Sequence, residues 1–269
     1  MGLVFQPKNI GVQSMTRTHN KHVRAYVDGV DLSGYSRQVG ALSWMFGAEP
    51  DAAFTDESKN IVMGQCDIQA GTLNAFLDAD AAGLYTLGSG SYGTRNLLVA
   101  IGTNAAPAQG DHVFAWKFEQ TSYSVEQGSG FVSATVPFGG ASYASTLTYK
   151  RPWGRLLHAK GAETAVNSAT GIDDNGASSA LGGIFIYHLF SSDGTVTLKV
   201  QDAATNSDGS FSDLSGATSG SVDATSTPQH GMIALGTTAT VRRYLRWQLA
   251  FGTATSATFA CAFIRNNLA

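Results

Sequence analysis

The feature that most constrains this chain is a recurring pattern of short runs in which apolar and polar residues alternate, each closed by a glycine-rich turn. Along 112–123, Phe114, Trp116 and Phe118 alternate with Lys117 and Glu119. Along 241–251, Leu245, Trp247, Leu249 and Phe251 alternate with Tyr244, Arg246 and Gln248. A period of two puts one set of side chains on a dry face and the other on a wet one, as in strands of antiparallel sheets. The run GIFIYHLF, the turn SSDG and the run TVTLKVQD read as a hairpin, with Val196, Leu198 and Val200 inward and Thr197, Lys199 and Gln201 outward. The opening stretch, 23–40, has Val23, Ala25 and Val27 alternating with Arg24, Tyr26 and Asp28, and a turn at Asp28-Gly29. Asp80 is expected to cap one short helix over 81–87.

The expected fold is mainly β, with three parts along the 269 residues. An N-terminal arm covers 1–22, a β-barrel or sandwich covers 23–140, and a second β-sandwich covers 141–269, with the boundary in the small polar stretch before Pro152. Residues 42–46 are expected to continue the opening hairpin, 47–59 to form a long exposed loop, and 241–251 to pair with 258–265. Charged residues make up 14% of the chain, below the roughly 25% typical of soluble domains, which suits contact between copies of one protein. A net charge of −3 gives no basic field for gripping nucleic acid, and no run of 18 apolar residues is present to span a bilayer. Cys66 and Cys261 are expected as buried free thiols, and the first 22 residues lack the apolar core of a leader, so cytoplasmic assembly is the expectation.

Catalytic and metal-binding patterns are weak. There is no Gly-x-Ser-x-Gly elbow, and LGSGSYG at 87–93 is not followed by the Lys-Ser/Thr of a phosphate loop. Six histidines are scattered without diagnostic spacing, and Asp173-Asp174-Asn175-Gly176 lacks the ligand alternation of a calcium loop and reads as a turn. No enzyme, cofactor or metal is expected. Trp44, Trp116, Trp153 and Trp247 read as core or interface anchors, with sugar stacking in a carbohydrate-binding module of a tail tip or cell surface as the alternative.

YVDGVDLSGY at 26–35, the strand at 42–46 and GTLNAFLDADAAGLY at 71–85 resemble the tail tube proteins of long-tailed bacteriophages. GDHVFAWKFEQTSYSVEQGSGFVSATVPF at 110–138 is similar to the closing strands of that fold, and the second half resembles the C-terminal β domain of one branch. The resemblance implies a structural virion protein, assembled in the host cytoplasm, whose copies form trimeric or hexameric rings stacked into the tube that delivers DNA. Its implied partners are itself, other tail proteins at the tube ends, and phage DNA passing through an acidic lumen without specific binding. By position, the loop of Gly47, Pro50, Asp51, Phe54, Asp56, Glu57 and Lys59 is the expected ring-to-ring contact.

Overall fold

The structure is a computed structural model, and it describes residues 19–34, 36–51, 60–77, 84–90, 93–128, 130–141 and 151–266. The first half contains strands β1 (Val23–Val27), β2 (Val30–Asp31), β3 (Ser36–Val39), β4 (Leu42–Asp51), β5 (Asn60–Ala70) and β6 (Thr72–Phe76). Helix α1 (Leu84–Ser89) and strands β7 (Thr94–Ile101), β8 (His112–Gln120), β9 (Ser124–Gln127) and β10 (Val132–Ala141) complete it. The second half contains β11 (Trp153–Glu163), β12 (Ile172–Asp173), β13 (Gly183–Ser192), β14 (Thr195–Ala203) and β15 (Ser212–Thr218). It closes with β16 (Val222–Asp223), β17 (Gln229–Ala234), β18 (Tyr244–Phe251) and β19 (Ala257–Arg265). The fold is mainly β, and its first half is a curled antiparallel half-barrel, as the alternation predicts.

Strand β8 organises the half-barrel. Its one edge is covered by β7, from Thr94↔Glu119 to Ile101↔His112. Its other edge is shared by β11 near the start (Trp153↔Phe114) and β10 near the end (Phe138↔Gln120). Through β11 the same sheet runs on as β11-β19-β13-β17, so the sheet is continuous between the two halves. Phe114, Trp116 and Phe118 are fully buried as the pattern predicts, and Val113 and Ala115 on the opposite face are buried as well.

Two predicted hairpins are not hairpins. Strands β13 and β14 are joined by the SSDG turn, yet β13 pairs with β17 and β19 while β14 pairs with β15, β16 and β18. Likewise β18 lies in the five-stranded sheet β12-β18-β14-β15 and β19 in the larger one. Each turn therefore carries the chain across a core, from one sheet to the facing one. The reason lies in composition: β13 and β19 are apolar on both faces, so each needs a core on both sides. Ala260, Ala262 and Ile264 of β19 join the first core with Trp116 and Leu156, while Phe259, Cys261 and Phe263 join a second core with Val196, Leu198 and Trp247. The result is three layers, with β11, β13 and β19 in the middle.

Candidate assembly surfaces

Of the expected loop at 47–59, residues 47–51 are strand and 52–59 lie outside the described residues. Gly47, Pro50 and Asp51 lie on β4, which pairs with β5 from Leu42↔Ala70 to Asp51↔Asn60, while Phe54, Asp56, Glu57 and Lys59 lie outside the described residues. Residues 42–46 accordingly do not extend the opening hairpin; β4 and β5 form a two-stranded sheet of their own. Pro50 lies on a strand whose outer edge has no ladder partner among the described residues, the setting in which a proline is tolerated in a sheet. Ile68 and Ala70 anchor the base of this β4–β5 ribbon in the first core. Ten residues of strand reach about 33 Å.

A second surface is the layer β9-β10-β6-β3. Its pairs align Val125, Ala134, Ala75 and Ser36 on one face, with Ala134 and Ala75 fully buried. The opposite face carries Glu126, Ser133, Thr135, Asn74, Gln38 and Arg37 around a cavity of about 420 Å³. There Thr135 Oγ1 donates to Asn74 Oδ1 at 3.1 Å, and the Arg37 guanidinium lies 5.1 Å from the centre of the Phe76 ring. The outer edges of β9 and β3 have no strand partner among the described residues. Beside β3, where the half-barrel fails to close onto β1, a cavity of about 430 Å³ is lined by Val23, Ala25, Val39, Leu42, Val99 and Ile101, among others.

The remaining sequence candidates have structural roles. Asp28 takes a left-handed φ of 49° and Gly29 a φ of 80°, which makes the expected turn. The Asp28 carboxylate accepts hydrogen bonds from Asn96 N at 2.8 Å and Arg95 Nη1 at 3.0 Å. Gly29 N–H donates to His188 Nδ1 at 3.0 Å and so ties the first half to the second. His188 is wholly buried and opposite His230 across β13 and β17; desolvation, and then the His230 charge, push its pKa down to about 3. His158 stacks on Phe259 and its Nε2 lies 2.9 Å from Glu163. No group of three metal-ligating side chains occurs among the described residues.

Asp173 accepts from Gly176 N–H, a turn as expected, and its bond to Arg243 holds its carboxyl below the usual carboxylate range. Its neighbour Asp174 makes a buried ion pair with Arg265 at 2.7 Å, each side chain about 4% exposed. Arg246, expected on a wet face, is buried: it donates to Gln201 Oε1 and Ser168 O, pairs with Asp208, and lies over the Phe211 ring. The turn-rich excursions around 168 and 208 cover that face, which alternation within one strand cannot reveal. Glu119 accepts from Thr94 Oγ1; Asp78 lies outside the described residues. Trp116 and Trp247 are buried and Trp153 packs on the first core.

No family model matches the chain, and no curated protein does. Among solved structures, the chain aligns with the SPP1 Dit (gp 19.1) protein, whose crystal structure is titled a paradigm of hub adsorption apparatus in phages that infect Gram-positive hosts. The identity is 13% and the TM-score 0.32, over 90% of this chain and 98% of that one.

Proposed function

We propose that this protein is a structural subunit of a bacteriophage tail, whose copies join into rings and whose rings stack into the tube that conducts DNA to the host. The observation that carries the reading is the layer β9-β10-β6-β3: one polar face, one face on the core, and two edges with no strand partner among the described residues. Free edges are templates for pairing with other chains, and ring closure removes them. Because the layer has four strands alternating in direction, β9 of one copy and β3 of the next run antiparallel, so the alternation continues around a ring of any size. A polar face holding both Arg37 and Glu126 suits passage of DNA better than capture of it.

The family resemblance falls on the parts this architecture uses: 26–31 form the β1–β2 corner, and 71–85 include β6 of the layer and the start of α1. The ribbon β4–β5 serves as the ring-to-ring contact. The partners are copies of itself in trimeric or hexameric rings, other tail proteins at the tube ends, and transiting phage DNA. No catalytic step, cofactor or membrane insertion is part of the proposal. The carbohydrate-binding alternative draws no support from Trp116 and Trp247, which lie in the cores.

Native mass measurement and electron microscopy of the purified protein test this directly. Discrete rings or tubes are expected, with the ring mass deciding between three and six copies; a strictly monomeric protein at high concentration would overturn the proposal. Removing residues 50–57 from the ribbon should leave folded rings that no longer stack. Tubes of normal length from that variant would show that the ribbon is not the axial contact.

A further inference from the structure

The two free edges differ, and their differences match layer by layer. On the core side of β9, Val125 shares a face with the buried Ala134 and Ala75, yet is itself 45% exposed. Val132 of β10, paired with Gln127 on the same face, is 38% exposed. The core layer thus runs out before its apolar side chains do, and two valines project past it. At the β3 edge the reverse holds. The core side there is a hollow of about 430 Å³, with buried Ala25 and Val99 among its lining and half-buried Val39 and Leu42 at its β3 side.

On the other side of the layer the match is one of charge. Glu126 stands on β9 and Arg37 on β3, both lining the polar cavity; neither side chain has a hydrogen bond or ion pair among the described residues, and Arg37 is held only by the Phe76 ring beneath it. Arg37 is the extra residue where the β3–β6 register shifts between Ser36 and Gln38, which leaves its backbone outside the β6 ladder. One edge therefore offers apolar projections with a carboxylate, and the other a hollow of apolar strand residues rimmed by Asn20, Ser33, Ser36 and Gln38, with the Arg37 guanidinium beside it.

We propose that these edges are two halves of one joint, and that the occupant of the hollow is a second copy of this chain: β9 pairs antiparallel with the neighbour's β3, Val125 and Val132 enter the neighbour's hollow, and Glu126 meets the neighbour's Arg37. The proposal rests on the ring reading above and specifies its lateral contact. The joint is head to tail, so each copy uses a different surface toward each neighbour, and such contacts build rings where the rotation closes. The core-side match supplies burial of apolar surface, and the charged pair on the opposite side fixes which edge meets which.

Charge reversal tests the pairing with exposed side chains whose replacement leaves the cores intact. Glu126→Arg alone and Arg37→Glu alone should each raise the concentration needed for ring formation about tenfold. The double variant, or an equimolar mixture of the two single variants, should recover it. As a second measurement, Val125→Cys combined with Val39→Cys should give oxidised ladders of covalent multimers. Within one copy those positions lie about three strand spacings, ~14 Å, apart, too far for a disulfide. Either single cysteine variant should give no ladder.

Wild-type rings that tolerate every charge variant and yield no ladder would overturn this joint while leaving ring assembly standing. A wild-type protein that never leaves the monomer would overturn the ring reading and the joint with it. Rings that survive the charge variants but are lost on removal of residues 1–18 would assign the hollow to the chain's own N-terminal segment, and that too would overturn the joint.

Discussion

His188 shows how one residue can couple the halves to pH. Its Nδ1 accepts from Gly29 N–H, so protonating it would set two donors against each other in a wholly buried site. Its pKa is pushed down to about 3 in the folded chain, against 6.5 unperturbed. Above pH 6.5 neither state binds the proton and the contribution is flat. As pH falls below 6.5 the unfolded chain takes up a proton that the folded chain refuses, so stability drops by ~1.4 kcal/mol per pH unit, or ~2 kcal/mol by pH 5. Urea denaturation of wild type against His188→Asn, whose amide oxygen keeps an acceptor without titrating, should show the steeper fall below pH 6.5 in wild type, the other histidines contributing equally to both curves. Parallel pH curves would refute the assignment. Asp174→Asn should cost about 3–5 kcal/mol in the same measurement, because it leaves the Arg265 charge buried and unpaired. The Asp28-Gly29 turn was legible from its dipeptide. Its partner His188 was not, since 159 positions separate it from Gly29 and nothing local marks it as an acceptor.

Strands were legible wherever one face is wet; their pairing was legible only in part. In β18, Leu245, Trp247 and Leu249 are buried as the period of two predicts. The connections after β13 and β18 were misread because a short turn between two apolar runs looks the same whether it closes a hairpin or crosses a core. The deciding clue is the unbroken apolar run in GIFIYHLF and in ATFACAFI, which requires burial on both faces. Phe259→Ala should therefore cost about 3–5 kcal/mol, with the loss read as an earlier urea midpoint. The β1–β2 corner gives a sharper test. A Cβ on Gly29 would lie 2.6 Å from Pro228 Cβ, at a φ of 80° that side chains resist. Gly29→Ala should cost at least about 1–3 kcal/mol, and a variant as stable as wild type would mean that the corner can lift off β17 freely. In the candidate contact, residues 42–46 were legible as strand and 47–51 were not. The latter were read as loop because Pro50 and Asp51 are poor strand residues in isolation.

For the whole molecule, the sheet that continues from β8 through β11 to β19, and a first core that draws on both halves, predict a single unfolding transition. Differential scanning calorimetry below the ring-forming concentration should show one peak whose calorimetric and van't Hoff enthalpies agree; two separated peaks would mean the halves are thermally independent. Strand β19 gives this continuity a consequence in time. It sits between β11 and β13, yet a ribosome makes it after every other described strand. Until it emerges, the middle layer has a gap at its centre and both cores stand open. If the edges of the β9-β10-β6-β3 layer join copies as proposed, they are set on a finished scaffold only near the end of synthesis, and nascent or truncated chains would be kept from entering an assembly they would spoil.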